Sequence, residues 1–448
     1  MTALPHDSSR RRLLLAASLG PLLAACGGGG GSDNTPPAAE NSAIDELSLV
    51  GPARIGEPAT LAVRYRGGTG SVEPALGPVA SGGTVQTPVL ADTKRFRLIV
   101  SRPGAPDAIR ELSVEPAWRN RLRSFAAPAM TGHAVAVTGS HAPLVLGGSR
   151  GTGVLSSAIE RFDPVSQSFT SIGQMLTGRS EMSAVPIGHH EVLVFGGSTS
   201  TVQAPFAELV DARTGAVRPG GSMMLPRAQH AAVRLADGRV AAVGGSQRNS
   251  LELWSPASNG WALAGNRMAH VRQHATATLL PDDRVLIVGG FTESANYRFA
   301  EVFDPANETF APVADAPAER RWLHAALTLS DGSVLVVGGE NEGGALASLW
   351  RFDPATGRFV AQPPLAAPRS IVRAALGPGD EVLMFGGEQE PDVGLTSAAA
   401  WRAGTSRELP AMPTPRAWHS LTRLADGRLL VLGGQHRSAL VGGGLLFD

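Results

Sequence analysis

The sequence predicts an all-β fold: a seven-bladed β-propeller over residues 116–448, preceded by a small β-sandwich over 44–115. Three observations carry this. Adjacent glycines recur seven times, at 147–148, 196–197, 244–245, 289–290, 338–339, 386–387 and 433–434, at intervals of 45 to 49 residues. A period near fifty residues suits a four-stranded blade better than a helical solenoid unit. Short apolar runs bounded by turn residues surround each glycine pair, and the block before the first pair alternates apolar and polar residues on its own.

Taken in chain order, residues 1–26 read as an export signal. Arg10-Arg11-Arg12 precedes an apolar run from Leu13 to Ala25, too short for a permanent membrane span. Residues 27–43, opening on five glycines, read as a flexible tether. Over 44–115, Ala59–Tyr65, Arg95–Val100 and Ile109–Val114 alternate as half-buried strands do, with a glycine-rich turn at 66–70.

Each repeat then has four strand signals. A first strand such as His230–Leu235 leads to a tight turn, Asp-Gly at 237–238, 331–332 and 426–427. The second strand, Val240–Val243 or Val334–Val337 for example, runs into the glycine pair. A third ends in an Asp-Pro turn at 163–164, 304–305 and 353–354. Six residues after the Asp position a large apolar residue (Phe169, Val217, Trp261, Phe310, Phe359) marks the fourth. The seventh repeat ends at Asp448 without a fourth strand, so residues ~116–123, with Trp118 at or beside the aromatic position, are expected to supply it and close the ring.

The double glycine, an Arg-x-x-His lead into the first strand and the aromatic on the fourth resemble kelch repeats, as in the central propeller of galactose oxidase. Leu23-Ala24-Ala25-Cys26 resembles a bacterial lipobox, which implies that Cys26 is lipidated; Ser9–Leu14 also resembles a twin-arginine signal. The 44–115 block resembles the immunoglobulin-like modules that follow such signals. These resemblances imply an exported, lipid-anchored protein of the bacterial cell envelope.

Composition removes several chemistries. Lys plus Arg and Asp plus Glu number 39 each, so no net field draws the chain to nucleic acid. The one lysine, Lys94, leaves little room for Schiff-base catalysis. Cys26 is the single cysteine, and the two tyrosines are Tyr65 and Tyr297, so the cysteine-linked tyrosyl copper centre of galactose oxidase is excluded. Sialidase boxes, phosphate loops, HExxH and nucleophile-elbow motifs are absent from the sequence, and no cofactor or metal is expected.

Two repeated positions stand out. Aligned on the glycines, histidine recurs as His133, His230, His274, His324 and His419, with Met182 and Val372 in the other two repeats. A residue used once per blade suits a blade-to-blade hydrogen bond. Three residues earlier stand Arg179, Arg227, Arg321, Arg369 and Arg416, with Arg272 displaced by one. These arginines either pair internally or converge on the face that also carries the residues after the glycines, among them Phe291, Glu340, Glu388 and Gln435. Tyr297 lies in the longer loop beyond Phe291 and suits stacking on a sugar.

The function expected is therefore non-catalytic binding by a monomer, of a glycan or another envelope protein, through the arginine-bearing face. The alternatives are a carbohydrate-active enzyme, mutarotase-like or glycosidase-like, with Glu340 or Glu388 as acid or base, and a structural spacer at the cell surface.

Overall fold

Residues 122–448 form seven four-stranded antiparallel sheets, each built from one glycine-pair repeat. The computed structural model describes residues 43–448 except 75, 140, 141, 152, 247 and 293–298. Cys26 and the leader, and likewise Tyr297, therefore lie outside the described residues.

The second strand of each sheet is buried on both faces, as Val240–Val243, Val285–Val288, Val334–Val337 and Leu429–Leu432 show. Branched aliphatics suit such a strand, and each large one buried stabilises by about 1.5–3 kcal/mol. Outside it, the aromatic pairs fall in register across strands three and four: Phe162 opposite Phe169, Trp254 opposite Trp261, Phe303 opposite Phe310, Phe352 opposite Phe359.

Neighbouring sheets are stitched by one repeated bond. The amide of the second glycine donates to the carbonyl of the arginine in the following repeat: Gly148 to Arg179 (2.8 Å), Gly197 to Arg227 (2.9 Å), and so on to Gly387 and Arg416 (3.0 Å). The seventh, Gly434, returns to the first repeat at Met130 (2.7 Å). This cyclic set, with repeated four-stranded sheets, is the architecture of a β-propeller.

The glycines are required at these joints. In the fourth repeat Gly289 has φ +66°, and a Cβ there would lie 2.4 Å from the Arg321 carbonyl oxygen and 2.6 Å from the His324 ring. Gly289→Ala is expected to destabilise by on the order of 2 kcal/mol or more, read as a lowered urea midpoint. A neutral effect would mean that the joint can open without loss.

The strand completing the seventh sheet is Leu122–Phe125, beginning later than the 116–123 expected from the sequence. Leu122, opposite Phe447, takes the aromatic position. Trp118 precedes the strand and packs its ring on Phe447 at 5.1 Å, where Ile55 joins the same core. Arg121 and Arg123 both donate to the Asp448 carboxylate, at 2.9 and 3.1 Å. The shift has a simple cause: Pro116 and the bridge of Ala117 to Arg54 commit the preceding segment to the N-terminal block.

That block has two sheets. Ala43–Val50, Glu57–Arg66 and Thr84–Leu90 form one; Gly77–Val79, Thr69–Glu73, Lys94–Arg102 and Ala105–Val114 form the other. They share a core of Leu47, Leu61, Val63, Val72, Phe96, Leu98 and Val100. The block also grips the seventh sheet: Arg423 donates to the Ala91 carbonyl (2.7 Å) and to Asp92 (2.6 Å). Among the described residues, no helix is long and apolar enough to cross a membrane.

Candidate functional site

The six arginines do not face a ligand, which corrects the expectation drawn from the sequence. Arg179, Arg227, Arg272, Arg321, Arg369 and Arg416 are at most 4 % exposed. Each donates to the carbonyl of the first glycine of its own repeat, for example Arg227 to Gly244 (2.9 Å), Arg321 to Gly338 (2.9 Å) and Arg416 to Gly433 (3.0 Å). In three repeats the charge is met by a glutamate of the third strand, Glu208, Glu252 or Glu301. Arg321 uses Glu319. Arg369 and Arg416 have carbonyl partners, and burial draws both down to about 10. A guanidinium is tolerated inside when its fork of donors is satisfied, and here it staples the glycine turn.

The histidine position also needs a correction. Arg272 is in register, and His274 is the residue displaced. At φ +56° it takes the place held by Glu181, Gln229, Leu323, Ile371 and Trp418, all between φ +50° and +56°. Ala275 fills the histidine position instead, its Cβ 3.0 Å from where a Cβ of Gly290 would lie. The shortened spacing, Arg-x-His rather than Arg-x-x-His, was the available signal. Two of the remaining histidines bridge sheets: His133 Nε2 lies 2.8 Å from Ser420 Oγ, and His324 Nε2 2.9 Å from Thr276 Oγ1. Burial pushes His133 down to about 4 and His230 to about 3, so both are neutral near pH 7.

The loops between sheets and the residues after the glycines pair by short antiparallel bridges: Thr131 with Ser149, Gln273 with Phe291, Trp322 with Glu340, Ala417 with Gln435. Together they wall a funnel of about 790 Å³ at the hub. Among the expected residues, Phe291, Glu340 and Gln435 line it. Glu388 is 6 % exposed and is not among the lining residues. Burial, with Glu340 and Asp392 nearby, raises its carboxyl above the usual range, while the Asp392 amide opposes this at 3.2 Å. The paired carboxylates of a glycosidase are thus not presented together to the cavity.

The wall is amphipathic. The Phe291 ring meets Trp322 edge-on at 5.3 Å, and the Trp322 indole donates to Glu340 Oε1 at 2.7 Å. Trp418 lies 5.8 Å from His274 across the hub. Gln229, Gln273 and Gln435 supply amides, and Glu181 accepts from Gln229 at 3.3 Å. Trp322, Trp418, Gln229 and Gln273 sit one or two residues after an arginine, where the sequence reading fixed on the arginine itself, whereas Gln435 follows a glycine pair. Among the described residues no three His, Cys, Asp or Glu side chains converge to hold a metal.

Within this repeated frame, residues 321–366 match the kelch motif. A kelch motif within repeated four-stranded antiparallel sheets fits a kelch-type β-propeller. The match spans the stretch from the stapling Arg321, through the Gly338–Gly339 joint, to the outer strand of the fifth sheet. No curated protein is significantly similar to the chain. The kelch repeat thus accounts for the buried arginine, the glycine joint and the sheet order, whereas the funnel wall is built from the positions that vary between repeats.

Proposed function

We propose that this protein is a lipid-anchored, extracytoplasmic binding protein, a seven-bladed kelch propeller carried on an immunoglobulin-like module, that recognises a glycan or another envelope protein. The observation that carries this reading is the funnel, lined by three aromatics, Phe291, Trp322 and Trp418, among three glutamine amides. Aromatic faces stack on the apolar face of a sugar while amides and carboxylates take its hydroxyls. Kelch propellers serve as interaction scaffolds, and the function of such a scaffold resides in its loops. Recognition therefore runs through the loop residues and not through the buried arginines.

The anchor rests on Cys26 and the lipobox-like run before it. Two experiments test the reading. The full chain is expected to bind members of a glycan array, with Trp322→Ala reducing binding roughly tenfold or more; unchanged binding would remove the funnel from the proposal. Cys26→Ala is expected to shift the protein from the membrane fraction to the soluble fraction; retention would remove the lipid.

A further inference from the structure

One position breaks the repeat at the hub. Four residues after the stapling arginine (or Met130) the seven repeats carry Ala134, Ser183, Ala231, Thr276, Ala325, Arg373 and Ser420. Six are small, as the crowded start of an innermost strand requires; the sixth repeat alone places a guanidinium there. Ser183, Arg373 and Ser420 line the funnel.

Arg373 differs from the stapling arginines in its partners. Its Nε donates to the His419 carbonyl at 2.9 Å. Among the described residues no carboxylate lies within ion-pair distance, and its two terminal nitrogens make no hydrogen bond. Burial lowers His133, His274 and His419, of the first, fourth and seventh repeats, and the Arg373 charge adds to the lowering in each. Arg373 lines the hub funnel together with these three histidines, which places it near the axis. The two acids of the wall are otherwise engaged, Glu340 with the Trp322 indole and Glu181 with Gln229.

Resting on the binding function proposed above, we infer that Arg373 anchors the carboxylate of an acidic sugar seated in the hub funnel. A guanidinium with two free donors on one edge accepts a carboxylate in a two-pronged pair. Trp322 and Trp418 then meet the ring, and Gln273, Gln435 and Glu340 its hydroxyls. Removing an unpaired cation from a partly enclosed site costs the fold little, since three other repeats carry alanine at this position.

The test is an array of neutral, carboxylated and sulfated glycans probed with the full chain, repeated with Arg373→Ala and Arg373→Lys. Bound glycans are expected to carry a carboxylate. Arg373→Ala is expected to weaken them roughly ten- to a hundredfold, with no fall in melting temperature, and Arg373→Lys to recover only part. Equal binding of neutral and carboxylated glycans, or carboxylate binding indifferent to Arg373→Ala, overturns this inference and leaves the glycan reading standing. Binding confined to sulfated glycans assigns Arg373 to a sulfate ester and overturns the carboxylate. Absence of binding to every glycan overturns the glycan reading itself.

Discussion

Arg227→Ala is expected to lower the unfolding free energy by roughly 3–5 kcal/mol, seen as a urea midpoint shifted at nearly constant slope. The guanidinium and Glu252 are both fully buried, paired at 2.6 Å, so the substitution leaves a carboxylate without its cation. It also strips donors from the Gly244 and Ser250 carbonyls. Removing both charges, as Arg227→Met with Glu252→Leu, is expected to recover most of the loss, because the desolvation cost goes with them. The Arg416 staple should be less sensitive, since its removal orphans carbonyls and no anion. A single-variant cost below about 1 kcal/mol would show the Arg227 pair to be idle.

The second large effect is acid sensitivity. His133 and His274 are held at about 4 and His230 at about 3, chiefly by burial, then by Arg373 for the first two and Arg227 for the third. Burial lowers His324 and His419 as well. Below the ordinary histidine value of 6.5 the unfolded chain binds protons that the folded chain refuses. The stability these groups contribute is therefore complete above about pH 6.5 and is lost as pH falls toward 4. Each neutral histidine contributes about 1.4 kcal/mol per pH unit to that loss. His230→Met, which installs the residue that the second repeat carries as Met182, is expected to flatten the slope by about one proton. Urea titrations at pH 7, 6, 5 and 4.5 measure it. A level stability across that range would mean that the imidazoles protonate in place.

Much of the fold was legible because glycine pairs report a backbone requirement directly: only a residue without Cβ passes beneath the next sheet's carbonyl. The aliphatic second strands and the aromatic pairs likewise follow from burial and pleat. The arginines were harder to read. A guanidinium in a sheet-to-sheet loop resembles a solvent-facing group, and its partner glutamate stands 25 to 29 residues on, in only three repeats. That co-occurrence of Glu208, Glu252 and Glu301 was the signal for an internal pair. Keeping His274 in the histidine row made Arg272 look displaced, although Arg272 stands 17 residues before Gly289 as Arg227 does before Gly244, and the imidazole has only moved one position along an unshortened turn. The closing strand was displaced for a related reason: Trp118 looked like the repeat's aromatic, yet it packs beneath the sheet edge. Arg373 was invisible to a search for what recurs, because its interest lies in departing from the pattern.

The N-terminal block holds the seventh sheet at Arg423 and at the adjoining turn, where Gly427 leaves no room for a Cβ against Ala91. Strand Ser420–Arg423 descends to that turn from Trp418 on the funnel wall, and Leu429–Leu432 climbs back to Gly433. The handle of the wheel is thus fixed to its underside, with the bowl opening away from it. The N-terminal block and the funnel wall therefore lie at opposite ends of the Ser420–Arg423 strand.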